Sequence, residues 1–126
     1  MAKHENLYCK MFIDIDCKKE ELINLIAEIT NGNKHLFRTI ETNFGDIDVN
    51  ENDDFISEKN DGSFLYYKFY LDIEPAVSID GDEYIAHLSE IIKYFLSQEI
   101  HIVPACDFED ELPHSLYVLS VEVYNG

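Results

Sequence analysis

Between Ser63 and Glu74 the chain reads SFLYYKFYLDIE, and large apolar residues fall at every second position. Leu65, Tyr67, Phe69, Leu71 and Ile73 share one face of an extended chain; Phe64, Tyr66, Lys68, Tyr70 and Asp72 share the other. A period of two over this length predicts a strand with one wholly apolar side, and such a side has to be covered. Leu7–Asp16 (LYCKMFIDID) repeats the pattern, with Leu7, Cys9, Met11, Ile13 and Ile15 opposed to Tyr8, Lys10, Phe12 and Asp14.

Two helical stripes supply the cover. After Asp16, placed to cap it, KKEELINLIAEIT sets Leu22, Leu25, Ile26 and Ile29 along one helical face and stops at Asn31-Gly32. Asp80 or Asp82 can cap EYIAHLSEIIKYFLSQ, whose stripe runs through Tyr84 or Ile85, Leu88, Ile91 or Ile92, and Phe95. Lys34–Phe44 reads as a strand, extendable through Ile47 and Val49, and Asn50–Gly62 as a long hairpin loop rich in turn formers. Ile100–Cys106 is a short strand whose Pro104 suits an edge or a bulge, and SLYVLSVEVY after Pro113 is a further one.

The order β-α-β-β-α-β predicts an α+β chain: a ferredoxin-like plait, mainly antiparallel, with both helices on one sheet face and a short C-terminal strand added. Residues 1–126 read as a single domain. The first and third strands are expected side by side at the centre and parallel. That would gather Asp14 and Asp16 with Asp72 and Glu74 at one sheet edge and place the residues after Cys106 at the other. The second face would then present Tyr8, Phe12, Tyr66 and Tyr70, either to a partner or to the chain's own tail.

Charge narrows the function. The chain has 9 Lys and Arg against 26 Asp and Glu, a net −17 in 126 residues, yet 46% of it is hydrophobic and 13% aromatic, too rich for a disordered chain. A field of this sign draws in cationic partners and repels nucleic acid and anionic membranes. The strand leading into Phe64 also lacks the basic, glycine-flanked signature of an RNA-binding plait. The start, MAKHENLYCK, is too polar for a signal peptide, and no apolar run reaches membrane-spanning length. Three cysteines, Cys9, Cys17 and Cys106, show no CxxC or zinc spacing and fit reduced thiols, with Cys9 and Cys106 as small core residues.

No motif carries catalysis. DIDVNENDDFIS imitates a calcium loop at Asp46, Asp48 and Asn50 but has Glu51 where the turn glycine belongs and Ser57 where the bidentate glutamate belongs. The five histidines lack zinc spacing, with His87 bordering the core face of its helix and His101 pointing outward. No nucleophile elbow, phosphate loop or dinucleotide fingerprint is present, so no metal or cofactor is expected.

The densest charge lies in ACDFEDELP, where Asp107, Glu109, Asp110 and Glu111 surround Phe108. Carboxylates around a ring suit a partner presenting Lys and Arg around a pocket. The stretch from FLYYKFYLDIEP through the second helix to VPACDFEDELP resembles small acidic bacterial immunity proteins of contact-dependent growth inhibition and related polymorphic toxin systems. The resemblance covers about half the chain; ACDFEDELP is its most specific part, and residues 1–60 share only the order of elements. It implies a cytoplasmic protein without catalytic activity, monomeric or weakly dimeric when free, that covers the active or functional surface of a cognate toxin domain, often a nuclease. The candidate partner-binding residues are Asp107, Phe108, Glu109, Asp110, Glu111, Asp72, Glu74, Asp14, Tyr66 and Tyr70, chosen on charge and supplemented by the family tract. The alternative is a plait domain that senses a small molecule between protomers.

Overall fold

The computed structural model describes residues 6–36, 38–53, 65 and 67–113. Among them, the order is β1 (Cys9–Asp14), α1 (Lys19–Thr30), β2 (Asn33–His35), β3 (Thr39–Glu41), β4 (Gly45–Glu51), β5 (Phe69–Pro75), α2 (Gly81–Ser97) and β6 (His101–Ala105), followed by a 3-10 turn at Glu109–Glu111. The six strands form one antiparallel sheet in the order β2-β3-β4-β5-β1-β6.

The period-two pattern sets the layers. Cys9, Met11 and Ile13 of β1 pair with Ile73, Leu71 and Phe69 of β5, so all six stand on one face. That face, Leu22, Ile23 and Ile26 of α1, and Tyr84, Leu88, Ile92 and Phe95 of α2 belong to one buried cluster. Both helices therefore cover the same side of the sheet.

The helix ends follow local chemistry. Asp80 caps α2 by accepting the Glu83 backbone N–H at 3.1 Å. Asn31 ends α1 in the left-handed region at φ 55°, and the Gly32 N–H reaches back to the Ala27 carbonyl at 2.9 Å. The α1 start differs from expectation. Lys18, not Asp16, occupies the cap position, and Glu21 closes the turn by accepting the Lys18 N–H at 2.9 Å.

Lys34–Phe44 is not one strand but two, β2 and β3, and a second turn separates β3 from β4. The chain turns after β2 with Leu36 at φ 58°. It turns again at Thr42, whose hydroxyl donates to the Gly45 carbonyl at 2.6 Å and accepts from the Phe44 and Gly45 N–H groups. A threonine side chain does here what Gly or Pro does in most tight turns. Gly45, at φ 156°, lies against β5: a Cβ there would stand 2.1 Å from the Glu74 carbonyl oxygen. Gly45→Ala is accordingly expected to lower stability by about 2 kcal/mol or more, read as a reduced urea midpoint.

In place of the strand expected over Ser63–Glu74, β5 begins at Phe69; Leu65, half exposed, stands outside it, and Ser63, Phe64 and Tyr66 lie outside the described residues. Pro104 sits on β6, an edge strand, where its missing N–H breaks no central ladder. The strand expected after Pro113 and most of the Asn50–Gly62 loop lie outside the described residues.

The central pair is antiparallel, not parallel: Cys9 faces Ile73 and Ile13 faces Phe69. The reason is topological. A helical crossover returns the chain as β2, parallel to β1; the β2–β3 hairpin brings it round again as β4 in that direction, and the next reversal sends β5 back between β4 and β1, antiparallel to both. The start of β1 therefore meets the ends of β5 and β6, with Lys10 facing both Asp72 and Ala105. Asp14 lies at the opposite end, facing His101, so it does not join Asp72 and Glu74. The residues after Cys106 do share the end occupied by Asp72 and Glu74, contrary to the expected placement.

Candidate functional site

On the helix-free face the register lines up side chains in rows across the strands. One row runs Glu41, Asp46, Glu74 through β3, β4 and β5. The next runs Thr39, Asp48, Asp72, Lys10, Ala105. Carboxylates thus stand directly opposite one another at Glu41–Asp46, Asp46–Glu74 and Asp48–Asp72, an arrangement that destabilises a sheet. A third row, Asn50, Tyr70, Phe12, Val103, supplies rings beside them.

Neutral donors hold the inner carboxylates in place. Asp48 accepts the Thr39 hydroxyl at 2.6 Å. Asp72 accepts the Tyr8 hydroxyl on one oxygen and the Asn50 amide, at 3.1 Å, on the other. Asn50, only 8% exposed, also accepts Arg38 Nη1 at 2.9 Å, so the arginine's charge reaches Asp72 through an amide. Lys10, although opposite Asp72, places its ammonium over the Tyr70 ring, 4.2 Å from the centroid, and 5.3 Å from that of Phe12. The outer acids Asp46 and Glu74 are exposed. The result is a fixed negative surface edged by aromatic rings.

The Asp107–Glu111 tract occupies the same end of the sheet but is anchored from the helix side. Phe108 is fully buried and meets Tyr84 edge-on, with ring centroids 6.2 Å apart. Leu112, four residues on, is 4% exposed. Turn hydrogen bonds from the Glu109, Glu111 and Leu112 N–H groups to the Cys106, Phe108 and Glu109 carbonyls fix the tract's shape. Asp107, Glu109 and Asp110 are exposed and Glu111 is half-buried. The sequence suggested Phe108 as a surface grip for a partner; buried, it is instead the peg that holds the acids out.

Tyr70 stands on the helix-free face as expected, while Tyr66 lies outside the described residues. The sequence reading places Tyr8 on the open face but does not single out Glu41, and it weighs Asp46 and Asp48 only as a failed calcium loop. Their signal was present: Asp46 and Asp48 alternate with Ile47 and Val49, the mark of a strand with one wet face.

Two phenols carry the electrostatics of this end. Burial, then the Asp72 hydrogen bond and the Asp72 and Glu74 charges, push Tyr8 well above its ordinary pKa of 10. Burial, then nearby Cys9, Cys106 and Glu74, do the same for Tyr84, whose hydroxyl donates to the Ile73 carbonyl at 3.3 Å. A raised folded-state pKa means that the unfolded chain releases these protons first. Their contribution is intact below pH 10 and falls as pH climbs beyond it. The denaturation midpoint is expected to drop between pH 9.5 and 11.5, and to drop less in Tyr8→Phe.

Among the described residues no three His, Cys, Asp or Glu side chains are grouped to hold a metal ion, and no helix is long and apolar enough to cross a membrane. A cleft of about 440 Å³ opens between the helices, where His87 stacks on Phe44 at 4.7 Å beside Asn43, Thr30, Glu90 and Tyr94. No known protein family, curated protein or solved structure matches the chain.

Proposed function

We propose that this chain is an immunity-type inhibitor: a cytoplasmic, non-catalytic protein that seats a basic toxin domain against its acidic end and covers that domain's active or functional surface. The observation that carries the reading is the pair of directly opposed carboxylate rows, Glu41–Asp46–Glu74 and Asp48–Asp72. Such rows weaken the sheet that bears them, and a cationic partner relieves the repulsion. The tract at Asp107–Glu111, held rigid by Phe108 and Leu112, widens the same negative end. Rigid placement limits the ordering cost of association, and long-range attraction speeds it.

The fold is read here as an elaborated ferredoxin-like plait. β4-β5-β1-β6 follow the plait's four-strand order with α1 and α2 on one face, and β2–β3 is an added hairpin. The test is protection. The product of the reading frame immediately upstream, expressed in cells, is expected to arrest growth without this chain and not with it, and the two are expected to co-purify at low salt. Survival without the chain, together with no co-purification, would refute the reading.

The helix-helix cleft favours a second reading, a domain that senses a small molecule. It predicts a rise in melting temperature with some member of a metabolite panel and a dimeric state. A monomer with no shift rules it out.

A further inference from the structure

Cys9 and Cys106 lie one step beyond the last registered pair of β1 and β6. Lys10 faces Ala105, and Cys9 and Cys106 are the next residues outward, Cys106 at the bend that follows β6. Each thiol is close enough to shift the other's pKa, Cys9 upward and Cys106 downward. Cys9 is fully buried, Cys106 is half-buried at the mouth of the acidic turn, and neither is bridged.

We propose that Cys9 and Cys106 are a peroxide-oxidisable pair, in which Cys106 is the attacking thiol and Cys9 the resolving one. Directly opposed residues of an antiparallel pair have Cα atoms about 4.5–5.5 Å apart, so residues one step beyond Lys10–Ala105 start near the about 4.4–6.8 Å that a disulfide spans. The two positions need little movement to bond.

The surroundings divide the roles. The neighbouring Cys9 and the Phe108 backbone draw the Cys106 pKa down, against partial burial and the charges of Glu109 and Asp107. The neighbouring Cys106 and burial push the Cys9 thiol up. Exposure separates them: solvent reaches Cys106 and not Cys9, the arrangement of an attacking and a resolving cysteine. The same carboxylates repel anionic disulfides such as oxidised glutathione, so a small neutral peroxide is the oxidant that reaches the site.

The chemistry balances with hydrogen peroxide. Cys106 thiolate attacks one oxygen, an S–O bond forms, the O–O bond breaks and hydroxide leaves, taking a proton to become water. The Cys9 sulfur then attacks the Cys106 sulfur; the S–S bond forms, the S–O bond breaks and the sulfenic oxygen leaves as a second water with the Cys9 proton. Two thiols lose two electrons and one peroxide gains them.

Cys17 is an internal control. It follows the far end of β1, whose six residues span about 20 Å at a rise of about 3.3 Å per residue, out of reach of either partner. A Cys9–Cys106 bond would close most of the chain into a loop and restrict its unfolded state, raising the melting temperature by several degrees.

The experiment treats the reduced full chain with hydrogen peroxide, then unfolds it, alkylates it and maps the peptides by mass. Expected are a Cys9–Cys106 cross-linked peptide, one alkylated thiol at Cys17, and a higher melting temperature reversed by dithiothreitol. Cys17→Ser should behave alike, whereas Cys9→Ser should accumulate oxygen on Cys106. Three alkylated thiols, a bridge through Cys17, or oxygen on Cys106 with Cys9 still alkylated in the native sequence would each overturn the proposal.

Discussion

Phe108→Ala is expected to cost about 3–5 kcal/mol of folding stability, while Asp110→Asn, two residues away, changes it by no more than about 0.5 kcal/mol. Phe108 has no exposed surface, and its ring fills the space beside Tyr84 where α2 faces the sheet end. Truncation removes its transfer energy and leaves a cavity lined by a rigid tyrosine already bonded to the Ile73 carbonyl. Phe108→Leu, keeping most of the volume, should restore much of the loss. Urea titration followed by circular dichroism separates the three variants. If Phe108→Ala and Asp110→Asn denature at the same midpoint, Phe108 is not the anchor of the tract. Because Asp107, Glu109 and Asp110 are displayed only while that peg is seated, partner binding by Phe108→Ala should weaken in step with its unfolded fraction.

The contrast between those residues shows what the sequence could reveal. Apolar Phe108 and Leu112 stand four apart inside an acidic run, the spacing of one helical face, and that spacing was the sign of a buried peg rather than an exposed grip. Elements with strong periods and local stop signals were legible: α2 from its stripe and Asp80, the α1 end from Asn31-Gly32, β1 from strict alternation. The turn at Thr42 was not, because a side-chain hydroxyl does the work and no Gly-Pro-type signal lies between Lys34 and Phe44. Strand direction was not legible either. Alternation places Asp14 and Asp72 on one face but says nothing of which end they share; only pairing decides that, and it separates them. The Tyr8–Asp72–Asn50–Arg38 chain likewise joins residues from four separate segments and exists only once the register is fixed.

Neutralising Asp46 and Glu74 together is expected to make the free chain more stable and a worse inhibitor. Both side chains are exposed, and they face each other across β4 and β5, with Glu41 opposite Asp46 on the other side. Each directly opposed like-charge pair costs about 0.2–1 kcal/mol, so Asp46→Asn with Glu74→Gln should gain up to about 2 kcal/mol from the two contacts relieved. Glu74→Lys should gain as much by turning one repulsion into a cross-strand attraction. The origin is Coulombic, so added salt should stabilise the native sequence more than either variant. Binding runs the other way. On the proposed function, removing two charges from the surface that would seat a cationic toxin should slow association and lower affinity by about ten- to a hundredfold at low salt, with loss of protection in cells. Solubility alone predicts no such loss, and a purely structural role predicts falling stability, not rising. Only a binding surface maintained against the fold's own interest gives both signs at once, and a variant that gains stability while still protecting cells fully would separate the acidic rows from inhibition.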